Sequence, residues 1–262
     1  MSRRPPDRPR RGLRGLDADR HLDDPAIRQR YVTAVFDLVA PRYDAFTRWF
    51  SFGMDAGWKR EVESVAEASI AACARPVVLD LACGTGDLAF PLARAGRVVV
   101  GLDVSLEMLA RAGSRATADG RARHGAVPRF AAADMIALPI PTASADLATV
   151  GYGLRNASRL DAALDEVARV LRPGGHVVTL DFCKPAGAGW RRLLLGYLRV
   201  AGNLYGWAWH REPAAYGYIP RSIERFVTAD ELTAELRRRG FDVYHVSKKL
   251  LGGICVHAAR KP

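Results

Sequence analysis

From residue 76 onward the chain alternates short β-branched runs with Ala/Leu-rich stretches, and few architectures accept that rhythm. PVVLDLA, RVVVGLDV, PRFAAAD, DLATVGY and HVVTLDF read as strands, with helices near 86–95, 105–117 and 158–171 between them. Strands separated by helices join through right-handed crossovers. The expected fold class is therefore α/β, a doubly wound Rossmann-like sheet, mostly parallel, with helices on both faces. FDVYHVS and GGICVHAA follow a helix near 229–239, too close together for anything but an antiparallel C-terminal hairpin. VLRPGG reads as a helix end followed by a turn that feeds the fifth strand, glycine supplying the positive φ where the helix stops.

Ahead of this core, Asp23-Asp24-Pro25 opens a helix whose face (Ile27, Tyr31, Ala34, Val35, Leu38) runs to Pro41, and a second helix covers 54–73. Residues 184–228 break the rhythm with a stretch rich in Trp, Tyr, Leu and Gly. The expected organisation is a disordered Pro/Arg tail (1–22) and one folded unit (23–262). That unit comprises a helical segment (23–75), the alternating core (76–183), the insert (184–228) and a closing helix and hairpin (229–262).

The net charge is +11, from 39 Lys+Arg against 28 Asp+Glu, but residues 1–14 alone carry six Arg and one Asp. Such a tail cannot bury enough apolar surface to fold alone, and it lacks the apolar stretch of a signal peptide. A solvated or membrane-skimming tail is expected, and no specific nucleic-acid partner, which would need cations clustered with stacking aromatics on the folded part. Cys73, Cys83, Cys183 and Cys255 form no CxxC pair, which excludes a zinc ribbon or disulfide scaffold and fits the cytoplasm; no metal is expected. No apolar run approaches the ~20 residues of a spanning helix.

The first strand runs into Asp80-Leu81-Ala82-Cys83-Gly84-Thr85-Gly86-Asp87-Leu88-Ala89. Gly84, Gly86 and Ala89 satisfy the G-x-G-x-x-G/A turn that brings backbone close to a nucleoside ligand, and Asp103 closes the second strand where ribose hydroxyls would lie. A dinucleotide would set its pyrophosphate beside Asp80 and Asp87, where like charge opposes it. S-adenosylmethionine has an adenosine, a sulfonium, an ammonium and no phosphate, and it suits those acids. Asp134 and Met135, after the third strand, are placed to meet adenine. The alternatives are that Asp87 only caps a helix while Asp80 binds backbone amides, or that the chain is an NAD-binding oxidoreductase.

VLDLACGTGDLA, GLDVSLEML, ALPIPTASAD and VLRPGG together resemble class I S-adenosylmethionine-dependent methyltransferases. Ala40-Pro41-Arg42-Tyr43-Asp44, SFGMDAGWKR, GYGLRN, LDFCKP, AYGYIPRSIERF and LGGICVHAARK narrow the likeness to the ubiquinone/menaquinone biosynthesis C-methyltransferase family, over roughly residues 28–261. The resemblance implies a seven-stranded sheet with a reversed terminal hairpin, and it makes 76–183 the cofactor-binding core and 184–228 a substrate cap. It also implies S-adenosylmethionine as cofactor and methyl transfer to a ring carbon of a polyprenylated quinol. Demethylmenaquinol is the leading substrate, with 2-methoxy-6-polyprenyl-1,4-benzoquinol or another phenolic natural product as alternatives. Asp80, Gly84 and Gly86 would then hold the amino-acid end of the cofactor, with Ala89 on the same turn. Asp103 would take the ribose, Asp134 and Met135 the adenine, and Gly151 the floor. The sequence departs from the family at Ala89, where relatives carry Thr, and at His210-Arg211-Glu212-Pro213.

Carbon methylation needs a quinol whose hydroxyl loses its proton. His21, His124, His176, His210, His245 and His257 are scattered, so the expectation falls on the loop after the fourth strand. Arg155 would stabilise the developing quinolate and orient a water that removes the proton, since its own guanidinium stays charged. Asn156 and Tyr43 would hold the quinol. The alternative is that Arg155 pins the loop by pairing with Asp44 or Asp181. Trp190, Leu193, Leu194, Leu195, Tyr197 and Leu198, with Arg191 and Arg192, fit either a lid packed on the domain or an apolar entrance in peripheral contact with the membrane. Association into a homo-oligomer is compatible with all of this.

Overall fold

The computed structural model describes residues 25–42, 47–49, 51–118, 127–205 and 214–262. The expected tail 1–22, Tyr43, Asp44, and the His210–Pro213 departure lie outside the described residues, as do His21 and His124.

Seven strands form one sheet in the order β3-β2-β1-β4-β5-β7-β6. They are β1 (Val77–Leu81), β2 (Val98–Asp103), β3 (Arg129–Ala132), β4 (Ala145–Gly151), β5 (Leu171–Phe182), β6 (Asp242–Lys249) and β7 (Ile254–Arg260). The first five pair parallel, and β7 runs antiparallel to both β5 and β6. The expected hairpin is present, and its second strand slots between β5 and β6.

The helices are α1 (Pro25–Val39), α2 (Asp55–Ser69), α3 (Ala89–Leu92), α4 (Leu106–Ala118), α5 (Leu160–Val170), α6 (Ala188–Tyr205), α7 (Ala214–Arg225) and α8 (Ala229–Arg238). Successive strand residues face opposite sides, and the core divides accordingly. Val78, Leu147, Val178 and Val256 pack beneath α2, against Trp58, Val62, Ala66 and Ile70. Their neighbours Leu79, Ala148 and Val177 face the other way, onto Leu164 and Val167 of α5 and Leu232 and Leu236 of α8. A third cluster joins α1, α6 and α7 through Tyr31, Val35, Leu194, Leu198, Tyr218 and Ile223. The 184–228 insert is thus mostly two helices packed on the N-terminal one.

Two local expectations change. The helix after the glycine turn spans only Ala89–Leu92, because Pro91 has no N–H to return to Asp87 and Gly96, at φ +83, turns the chain. Arg172-Pro173-Gly174-Gly175 is not a turn outside the sheet but a bulge inside β5. Pairing runs from Ala145↔Leu171 to Leu147↔His176, and the N–H of Gly174 (φ +80) donates to the Lys261 carbonyl at 2.8 Å.

Candidate active site

The carboxyl ends of β1, β2, β3 and β4 open into two joined clefts, where open α/β sheets gather ligands. The larger, about 640 Å³, extends from Asp103 past Asp134 and Met135 to Asn156, with Val32 and Phe36 of α1 also lining it. The smaller, about 400 Å³, is lined by Lys59, Asp80, Thr85, Asp87 and Leu180. Ala82, Gly84, Gly151 and Tyr152 border both and form the throat between them.

The throat is built from unusual backbone. Ala82 and Tyr152 sit at φ 52 and 58, a region L-residues with side chains avoid at a cost of roughly 1–3 kcal/mol each. A Cβ on Gly153 would stand 2.6 Å from the Ala82 Cβ, and one on Gly151 2.9 Å from Leu88 Cδ1, so neither position has room for a side chain without a shift. Gly84, at φ +54, lets β1 turn sharply enough for its N–H to donate to Asp103 Oδ2 at 2.8 Å. Ser105 N–H donates to Asp103 Oδ1 at 2.8 Å. Burial pushes the Asp103 carboxyl up, against the pull of these amides.

Asp80 is the acid that matters most in the smaller cleft. Its Oδ1 accepts from Thr149 Oγ1 at 2.8 Å, while Oδ2 is buried with no hydrogen-bond partner. Burial pushes the carboxyl up to about 7; the Thr149 hydroxyl and the Ala89 amide pull it down, and the charges of Asp103 and Asp87 push it further up. A buried oxygen left unsatisfied beside an open cleft fits the ammonium of an amino-acid ligand, which would complete its bonding and favour its charged form.

Asp87 differs from the sequence expectation. Its oxygens meet Lys59 Nζ and Arg115 Nη1, each at 2.7 Å. Burial alone would raise this carboxyl, yet the two cations hold it below the usual range. Its charge is already matched, so the electrostatic case against a pyrophosphate rests on Asp80. Lys59 also pairs with Asp55 at 2.7 Å, and Asp55 Oδ1 accepts from the Tyr152 hydroxyl at 2.6 Å.

The loop after β4 carries a short 3-10 turn, Leu154–Asn156. Arg155 is buried, and its Nη1 donates to Asp181 Oδ1 and to the Tyr152 carbonyl, both at 2.8 Å. Its guanidinium carbon lies 5.1 Å from the centre of the Phe182 ring. Burial pushes the Asp181 carboxyl up, while the Arg155 charge and the Arg155 and Phe182 amides oppose the rise. Asn156 donates to the Tyr152 carbonyl at 2.8 Å and accepts from the Tyr218 hydroxyl at 2.6 Å. Arg28 of α1 donates to the Arg155 carbonyl at 2.7 Å. The loop is thus fastened to β5, α1 and α7 at once.

The structure therefore gathers Asp80, Gly84, Asp103, Asp134, Met135, Gly151 and Asn156 around the clefts. Gly86, Ala89 and Arg155 are not among the lining residues. Gly86, at φ +88, shapes the turn, and a Cβ there would lie 2.7 Å from the Phe90 ring. Ala89 is fully buried at the start of α3, and Arg155 faces Asp181, the pinning alternative. Lys59, Thr149, Tyr152 and Tyr218 were not singled out from sequence. All four lie within segments quoted above, but nothing in their spacing shows which of them meet. Among the described residues, no group of three or more His, Cys, Asp or Glu could hold a metal, and no helix is long and apolar enough to cross a membrane.

The family model described as ubiE/COQ5 methyltransferase family matches residues 25–261. The demethylmenaquinone methyltransferase of Streptomyces avermitilis is 37% identical over 85% of this chain and 90% of its own length. The ubiquinone/menaquinone biosynthesis C-methyltransferase UbiE of Rubrivivax gelatinosus is 35% identical over 89% of this chain and 88% of its own. Among solved structures, the YcgJ protein of Bacillus subtilis superposes with a TM-score of 0.57 at 18% identity, covering 79% of this chain and 98% of that one. Magnesium protoporphyrin IX methyltransferase from Synechocystis, solved with bound S-adenosylhomocysteine, gives 0.55 at 21% identity, covering 86% and 98%. At such identities these structures speak for the fold.

Proposed function

Because this chain belongs to the ubiE/COQ5 methyltransferase family, we propose that it methylates a ring carbon of a polyprenylated quinol in quinone biosynthesis, with demethylmenaquinol as substrate and S-adenosylmethionine as methyl donor. The observation that carries the cofactor reading is Asp80 Oδ2, a buried, unsatisfied acid oxygen at the smaller cleft, joined through a glycine throat to a cleft holding Asp103, Asp134 and Met135. Several relatives named demethylmenaquinone methyltransferase support the naphthoquinol, among them that of Thermus thermophilus, 35% identical over 87% of this chain and all of its own length.

When bound, the cofactor supplies an electrophilic methyl group on a sulfonium. Asp80 would bind its ammonium, and Lys59, in the same cleft, would face its carboxylate. Asp103 would accept from the ribose hydroxyls, and Asp134 and Met135 would border the adenine. Gly151 and Tyr152, which border both clefts, would then stand beside the methyl group. Holding donor and acceptor in line is the main contribution, since well-oriented reactants gain about 7–11 kcal/mol in favourable cases.

For the quinol, Asn156 is the group that lines the larger cleft. Tyr218 occupies its oxygen and the Tyr152 carbonyl one amide hydrogen, leaving a second N–H to offer a quinol oxygen. Arg155 acts through Asp181 and Tyr152, and we assign it to positioning the loop; the proton leaves to water. In this proposal Tyr43 would also help hold the quinol.

The test is a methyl-transfer assay with S-adenosylmethionine and either demethylmenaquinol or the methoxy-benzoquinol, read by mass spectrometry of the product. A methyl group gained on the naphthoquinol ring supports the reading. Transfer only to the benzoquinol moves the enzyme to ubiquinone formation, and transfer to neither ends the quinol assignment.

A further inference from the structure

The outer surface of α6 also carries an apolar line. Its inner face, Leu194, Leu195, Leu198 and Gly202, is buried. Leu193, Val200 and Leu204, at spacings of seven and four, form a second line that is 64%, 71% and 62% exposed. Tyr197 continues that line, and its ring stacks on Phe52, itself 75% exposed, with ring centres 5.8 Å apart. At the other end, Trp190 donates to the Leu250 carbonyl at 2.7 Å, which brings the loop bearing Leu251, 77% exposed, against the start of the helix.

Two of these side chains are presented by strained backbone. Phe52 and Leu251 have φ 51 and 50, a conformation bulky L-residues avoid. The stack on Tyr197 covers only part of the Phe52 ring, and strained backbone that presents apolar side chains to water points to a contact outside the chain.

The charge around the patch identifies the partner. α6 contains Arg191, Arg192 and Arg199 and neither Asp nor Glu from Ala188 to Tyr205. Arg192 and Arg199 are exposed, as are Arg48 and Trp49 just ahead of Phe52. An apolar stripe with aromatic ends, on a helix whose charged residues are all arginine, complements acyl chains beneath a negatively charged headgroup layer. We propose that the outer face of α6, with Phe52 and Leu251, docks on an anionic lipid bilayer. The purpose rests on the quinol reading: a prenylated substrate could reach the cap without its tail entering water. The docking itself can be measured without any substrate.

The experiment is co-sedimentation of the full chain with phosphatidylglycerol vesicles and with phosphatidylcholine vesicles. Binding to the anionic vesicles, weakened by salt, is expected. The variant Phe52→Ser/Leu193→Ser/Val200→Ser/Leu251→Ser should lose at least about tenfold in partitioning while keeping the melting temperature and the methylation of a tail-less naphthoquinol. Arg192→Glu/Arg199→Glu should lose binding only to the anionic vesicles. Wild type that stays in solution overturns the proposal. So does a serine variant that binds as well as wild type, which would assign binding to the basic N-terminal residues. A patch found by light scattering to join two copies of the chain, and absent from lipid, overturns it equally. If vesicle binding stands while no quinol is methylated, the substrate reading fails and the docking does not.

Discussion

Replacing Asp80 with Asn separates two effects that the wild-type side chain combines. The folded carboxyl titrates at about 7, above the 3.8 of a free group, chiefly because it is buried. As pH rises, the unfolded chain therefore releases this proton before the folded one does. Stability falls between about pH 4 and 7, and above 7 the full penalty of roughly 4 kcal/mol is in force. Asn is neutral throughout, and its Oδ1 can still accept from Thr149, which now donates at 2.8 Å. An amide N–H left without an acceptor costs about 1–3 kcal/mol. The ligand-free variant should thus be more stable than wild type by about 1–3 kcal/mol at pH 8, with that advantage gone near pH 4. Cofactor affinity should move the other way. Loss of a charge-assisted bond, about 1.5–3 kcal/mol, weakens binding roughly ten- to a hundredfold. Thermal unfolding from pH 4 to 9 and calorimetric titration with S-adenosylhomocysteine read the two effects. Wild-type binding below pH 7 should also release a proton, visible as a buffer-dependent enthalpy. A variant with unchanged affinity, or a stability difference that does not grow with pH, would refute the assignment of Asp80 to the ammonium.

Four further outcomes follow from the same geometry. Arg155→Ala strips buried Asp181 of its counter-ion and should cost about 3–5 kcal/mol in chemical unfolding, whatever its effect on turnover. Tyr218→Phe removes the hydroxyl on Asn156 Oδ1, about 1 kcal/mol; turnover should fall while the cofactor dissociation constant holds. Lys59→Met takes away the cation shared by Asp55 and Asp87 and should weaken cofactor binding about tenfold by calorimetry. Gly153→Ala sets a Cβ 2.6 Å from that of Ala82 and should lower stability by about 1–3 kcal/mol together with cofactor affinity.

The sheet was legible because its strands are β-branched and its turns carry glycine, and both signals act over a few residues. Val78 and Leu79 face opposite layers as period two requires, and Gly84, at positive φ, makes the turn expected after β1. Proximity along the chain was a poorer guide to the cleft. Gly86 and Ala89 share a turn with Gly84, yet one packs on Phe90 and the other is buried behind the wall, because a tight turn points successive residues in different directions. Lys59 reaches Asp87 only because α2 packs across the sheet, and Arg155 reaches Asp181 only because β4 and β5 lie side by side. Such meetings depend on tertiary packing, which no spacing rule encodes. The VLRPGG bulge shows the converse: its residues were noticed, and hydrogen-bond supply decided what they became.

The position of β7 has a consequence for how this protein can fail. The strand covers the flank of β5 from His176↔Arg260 to Phe182↔Ile254, and β6 reaches the sheet only through it. A chain that stalled or was clipped after Lys249 would lose both strands together. Buried Val177, Val178 and Leu180 would then lie on an open edge with unpaired N–H and C=O groups. An exposed apolar edge of that kind templates strand addition from a second molecule. The terminal hairpin therefore guards against aggregation as well as completing the core, and loss of its last strand should show as insoluble protein before it shows as loss of catalysis.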